Sequence, residues 1–191
     1  MIAAEDLSLA TRSYHHRITT DPHCRICGKF EESIDHIVSG CLVLAKTEYI
    51  YRHNKTATCI HWKNCRGYEI ETTETWYEHQ PTRVTENSEV TIIKDIPVHT
   101  DREIKANRPV IVVKDKKERR CVLIDIAVPS ESNTSAKFTE KLSKYNDLEI
   151  EVNRMWDMKT ETIPVVLGAL GLIEKGLDKV TSRITVNISS N

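Results

Sequence analysis

Apolar positions are sparse and irregular in the first third of this chain and run in short, dense blocks over the rest. Residues 2–18 are polar and mixed, with Ile2, Leu7, Leu9 and Ala10 suggesting a short helix. A cysteine-rich knot follows from Cys24 to Cys41. From Leu42 to Cys65 there is no Pro or Gly, and Tyr49, Ile50, Ala57, Ile60 and Trp62 recur at helical spacing, so a helix is expected there. Residues 67–88 hold Gly67, Pro81 and many Thr and Glu and read as a linker. Val90 to Ile93 reads as a strand. Two apolar runs, Val110–Val113 and Cys121–Val128, are joined by the charged link Lys114 to Arg120, which is the pattern of a β-hairpin. A helix is expected over about 134–147, with Ser132, Asn133 or Thr134 as its N-cap. Leu148 to Met155 reads as a further strand. Ile163 to Gly168 reads as a buried one, with Pro164 near its start. A last helix is expected over about 172–184.

These elements imply an α/β (α+β) protein in three parts. Residues 1–66 form a mainly helical, cysteine-bearing part, 67–88 a linker, and 89–191 a mixed sheet flanked by helices. With 191 residues there is enough chain for one or two small domains with a real core. The formal net charge is −1, so there is no overall basic pull on nucleic acid. Acids outnumber basic residues between 67 and 107, whereas basic residues lead slightly on either side, so any nucleic-acid face must be a local patch. No 18-residue apolar run is present, which argues against a membrane span, and the N-terminus lacks a signal-peptide pattern. An intracellular, reducing setting is therefore expected. There the six cysteines read as metal ligands or free thiols rather than disulfides.

The sharpest local motif is Cys24-x₂-Cys27-x₈-His36-x₄-Cys41. A Cys-x₂-Cys pair sets two thiolates on one tight turn, and Gly28 follows where such a turn needs a permissive backbone. His36 and Cys41 can close a tetrahedral zinc site. Four protein ligands leave no open position, so the role is structural. His23, beside Cys24, is a weaker alternative ligand. A second set, His53, Cys59, His61 and Cys65, has no familiar ligand spacing. His61 and Cys65 would share a helix face that zinc could use, but core packing of Cys59 and Trp62 is the favoured reading.

Asp125 is the one acid inside the second apolar run, Leu123-Ile124-Asp125-Ile126-Ala127-Val128. A carboxylate in a buried strand costs several kcal/mol unless it is paired or binds a metal. The stretch from about Val98 to Ile173 resembles the restriction-like endonuclease domain, of PD-(D/E)xK type, found in non-LTR retrotransposon proteins. That family has Arg/Lys-Pro-Asp at the end of one strand, an acid on the next strand, and a Lys and a Tyr on the following helix. Arg108-Pro109, Asp125, Lys141 and Tyr145 match; Val110 stands where the family has its first acid. Ile34-Asp35-His36-Ile37-Val38-Ser39-Gly40-Cys41 likewise resembles the zinc knuckle that precedes the endonuclease in that family.

The resemblance implies Mg²⁺-dependent DNA cleavage with Asp125 as metal ligand and Lys141 and Tyr145 as catalytic residues. It also implies a nuclear setting and a reverse transcriptase normally fused to this region. Val110 cannot bind a metal, so Mg²⁺ would be held weakly or not at all and cleavage would be impaired. Lys144 is an alternative for the lysine role, and Asp101 or Glu103 for an auxiliary carboxylate. Asp115 lies too far along the hairpin to substitute. Tyr145 and Lys141 also admit plain readings, as a core aromatic and a solvated helix lysine. No Asp-Asp pair occurs, so the chain resembles only the C-terminal end of such a polyprotein, as a fragment or a degenerate copy. DNA is the expected partner, with RNA as the alternative. Arg108, Lys114, Lys116, Lys117, Arg119, Arg120, Lys137, Lys141 and Lys144 are candidate phosphate contacts; the 114–120 link reads equally well as a solvated turn. The rival to a nuclease is a non-catalytic nucleic-acid-binding or protein-interaction module that keeps the fold.

Overall fold

The structure, a computed structural model, describes residues 21–169 and residue 171; the helices expected over 2–18 and 172–184 lie outside them. The first long element is α1 (Glu48–Gly67), which buries Ala57, Ile60, His61, Asn64 and Cys65. Those positions follow the i, i+3, i+4, i+7, i+8 stripe of a helix with one face on a core. Four antiparallel strands come next: β1 (Val84–Glu86), β2 (Val90–Lys94), β3 (Ile111–Asp115) and β4 (Arg120–Ala127). Two helices, α2 (Thr134–Lys144) and α3 (Asn146–Trp156), then cross back to β5 (Lys159–Val166), which pairs parallel to β4. Parallel neighbours need such a crossover. Among the described residues the result is a mixed five-stranded sheet in the order β1-β2-β3-β4-β5.

Alternation along the strands sends side chains to two cores. Val90, Ile92, Ile111, Val113, Val122, Ile124 and Ile126 face α1, and Ala57, Ile60 and Cys65 pack on them. Val112, Cys121 and Leu123 face the other way, onto Tyr145, Leu148 and Val152 of the α2–α3 segment. Strand β4 is therefore covered on both sides, which is why it reads as a near-continuous apolar run. Asp125 projects into the α2–α3 side of it.

Four expectations differ from what is found. The segment 148–155 is helical, within α3, not a strand. Leu148, Ile150 and Val152 mimic a period of two, yet Leu148 and Val152 are fully buried while Ile150 is 63% exposed, as only helical spacing allows. The helix expected over 134–147 stops at Lys144, and Tyr145 leaves helical geometry before α3 begins. Residues 67–88 contain β1 and fold against α1 and the sheet through Tyr68 and Ile70, rather than trailing as a spacer. Pro164 sits within β5, which among the described residues is an edge strand and so tolerates its missing N–H.

Candidate metal centre and the Asp125 pocket

Cys24, Cys27, His36 and Cys41 converge so that one ligand atom from each lies within 4.8 Å of every other. The turn that does this is built locally. The Gly28 amide donates to the Cys24 carbonyl at 2.7 Å, the Cys24 amide to the Phe30 carbonyl at 2.7 Å, and Gly28 takes the left-handed φ of 64°. A short helical turn, His36–Gly40, delivers the other two ligands, and Cys27 Sγ lies 3.2 Å from His36 Nε2. The Cys27 thiol is lowered to about 6, chiefly by the Lys29 backbone N–H and further by His36. A thiolate-stabilising turn, three sulfurs and one imidazole fit a structural zinc ion. His23 takes no part: it is held by Asp21 at 2.6 Å and is half exposed.

On the α2 side of the sheet, Asp125 is 4% exposed. Lys141 Nζ reaches its Oδ2 at 2.8 Å and Lys144 Nζ at 3.4 Å. Lys144 also donates to the Tyr145 hydroxyl at 2.9 Å, and that hydroxyl donates to the Arg108 carbonyl at 3.0 Å. Burial, with the Asp125 charge behind it, raises the Tyr145 phenol well above its ordinary value, so it stays a proton donor. The structure thus gathers Asp125, Lys141, Lys144, Tyr145 and the Arg108 backbone into one pocket. Continuing the β3–β4 register past Ile111↔Ile124 sets the backbone of residue 110 opposite Asp125. The Val110 side chain, however, is buried with the cluster on the α1 face.

A lone carboxylate already neutralised by two ammonium groups does not fit Mg²⁺, which wants oxygen ligands and net negative charge. The other candidate acids are elsewhere. Asp101 is on the surface with Arg154 at 3.0 Å. Asp115 is buried at the far end of β3, accepting from the Tyr68 hydroxyl at 3.0 Å and the Glu118 amide at 2.8 Å.

The basic residues divide into two places. Arg108, Lys137, Lys141 and Lys144 belong to the Asp125 end; Lys137 also lines a cleft of about 450 Å³ between the knuckle (His36, Ser39) and the end of β4 (Val128, Ser130). The link residues sit at the β3–β4 turn, five residues along β4 from Asp125, roughly 16 Å away at ~3.3 Å per residue. There they are engaged in ion pairs: Lys116 with Glu86 at 3.8 Å, Lys117 with Glu89 at 3.5 Å, Arg119 with Asp157 and Arg120 with Glu161. The turn and the helical stripe do not form one continuous patch.

The second Cys/His set is also rearranged. His53 and Cys59 stay apart, while His61 and Cys65 meet His79. His79 lies in the segment read as a linker, and no spacing rule connects it to α1; only the folded loop does. Neither a protein-family model nor a characterised protein matches this sequence.

Proposed function

We propose that this chain is a retrotransposon-derived, endonuclease-like domain with a structural zinc knuckle, which contacts DNA and has lost most of its cleavage chemistry. The observation that carries the reading is the meeting of Asp125, Lys141, Tyr145 and the Arg108 backbone in one pocket from three separate elements. Those are the positions at which the sequence resembles the nuclease motif. The same pocket argues for lost chemistry. Position 110 offers no carboxylate, and Asp125 is spent on an ion pair with Lys141 and Lys144, so Mg²⁺ has no adequate site. The exposed cations at that end, Arg108, Lys137 and Lys144, are the phosphate contacts of this reading. The non-catalytic alternative is a nucleic-acid-binding module, which would bind without cutting, or a protein-interaction module, which would do neither.

Two measurements test it. Duplex DNA binding should weaken steeply with salt, and a Lys137→Glu/Lys144→Glu protein should bind more weakly with a shallower salt slope. Binding indifferent to both counts against DNA as partner. Supercoiled-plasmid nicking, with melting temperature, is then followed for wild type and Val110→Asp, each with and without Mg²⁺. A carboxylate at 110 is disfavoured in the α1-side cluster and favoured toward the two lysines. The variant should melt lower than wild type without metal, recover with Mg²⁺ through binding linkage, and gain nicking. If it gains neither, the match of Arg108-Pro109-Val110 to the nuclease motif fails.

A further inference from the structure

We propose that the chain carries a second metal site, in which His61 Nδ1, Cys65 Sγ and His79 Nε2 bind a zinc ion and solvent completes the tetrahedron. His61 and Cys65 are i and i+4 on the buried face of α1, both fully buried. His79 arrives from the loop between α1 and β1, positioned by its amide's hydrogen bond to the Trp76 carbonyl at 3.3 Å. His61 Nδ1 lies 2.8 Å from His79 Nε2 and 3.5 Å from Cys65 Sγ. Zn–N bonds of 2.0–2.1 Å and a Zn–S bond of 2.3 Å at tetrahedral angles require roughly 3.3 Å between nitrogens and roughly 3.6 Å between nitrogen and sulfur. Seating the ion therefore asks the two rings to part by about half an ångström. The loop that holds His79 can supply that movement.

The surroundings set the tautomer. Thr85 Oγ1, on β1, lies 3.5 Å from His61 Nε2. A proton on Nε2 directed at that hydroxyl leaves Nδ1 free to ligate, which is how outer-shell partners commonly fix metal-bound histidines. The adjacent cation, Lys94, is itself paired with Asp95. Three protein ligands with an open fourth position differ from the closed Cys₃His knuckle. Such a site ties the α1–β1 loop to the helix and keeps one exchangeable coordination place. The proposal is independent of the nuclease reading and of the knuckle.

The experiment is metal stoichiometry on the full chain, purified in zinc and desalted, with circular dichroism to check folding. Wild type should carry two zinc ions per chain. His79→Gln, a half-buried loop position, and Cys65→Ser should each carry one, and so should a Cys24→Ser/Cys27→Ser protein, which keeps only the second site. With cobalt in place of zinc, the knuckle-less protein should still show a thiolate-to-cobalt band, lost on adding Cys65→Ser. Wild type at one ion with the knuckle-less protein at none overturns the proposal. So does a His79→Gln protein that keeps two ions and the full cobalt spectrum.

Discussion

The knuckle and the Asp125 pocket are both small polar constellations, but they are held together by opposite means. The knuckle spans Cys24 to Cys41, has almost no apolar core of its own, and exposes Ile26 and Phe30. Its four ligand-type side chains, one atom of each within 4.8 Å of the others, could hold a metal ion that would order it. The Asp125 pocket is assembled from β4, α2 and the residues before β3, beside the apolar core of the α2–α3 face. Its order depends on packing, and its polar groups are tolerated because they satisfy one another. On the proposed reading, one region should be sensitive to metal and indifferent to the sheet, and the other the reverse.

The widest separation between the two should come from removing zinc. Structural zinc in such peptides is worth on the order of 10–16 kcal/mol at neutral pH. Chelation should abolish amide-exchange protection over residues 21–45 and leave β2 to β5 protected. A sheet that unfolds with the knuckle would show that the two are one cooperative unit. The next effect belongs to the pocket. Asp125→Ala strands the Lys141 ammonium, 15% exposed, and should cost about 3–5 kcal/mol in denaturant melts. Asp125→Ala/Lys141→Met should recover much of that. A double mutant no better than the single would mean that the ion pair is not what the pocket requires.

Helical geometry on that side makes a third prediction. Leu148→Ala should cost about 2–5 kcal/mol, whereas Ile150→Ala, two residues on but facing solvent, should fall within about 0.5 kcal/mol. Equal costs would favour a strand-like arrangement. A smaller loss than that of Leu148→Ala is expected for Tyr145→Phe, which removes one hydrogen bond to the Arg108 carbonyl and one from Lys144. About 1–2 kcal/mol should be lost, with zinc content unchanged. A change in zinc content would couple the two regions after all.

The contrast also explains which features were legible in the chain. The strands β2 to β5 follow from local apolar periodicity, and the knuckle from ligand spacing within 18 residues; helix α1, expected over Leu42 to Cys65, runs from Glu48 to Gly67, and its buried face takes the polar His61 and Asn64 while Ile50 is exposed. Helix α3 was misread because Leu148, Ile150 and Val152 fit a strand as well as a helix over so short a run. The choice was made by the crossover that a parallel β5 requires. The end of α2 at Lys144 was invisible as well. No Gly or Pro marks it, and it coincides with a fully buried Tyr145 whose hydroxyl is tied to Arg108.

The sequence by itself determined the Cys₃His cluster, the α/β class, and Asp125 as an acid in a buried strand needing a partner. Each is a statement about neighbours in the chain, where spacing and periodicity act directly. Only the tertiary structure decided who that partner is, that the basic turn and the basic helix stripe lie apart, that Val110 turns to the α1 core, and that His79 joins His61 and Cys65. These depend on which elements the sheet register and the crossover bring together. Burial of apolar faces governs that assembly, and it is largely indifferent to the polar groups it carries along.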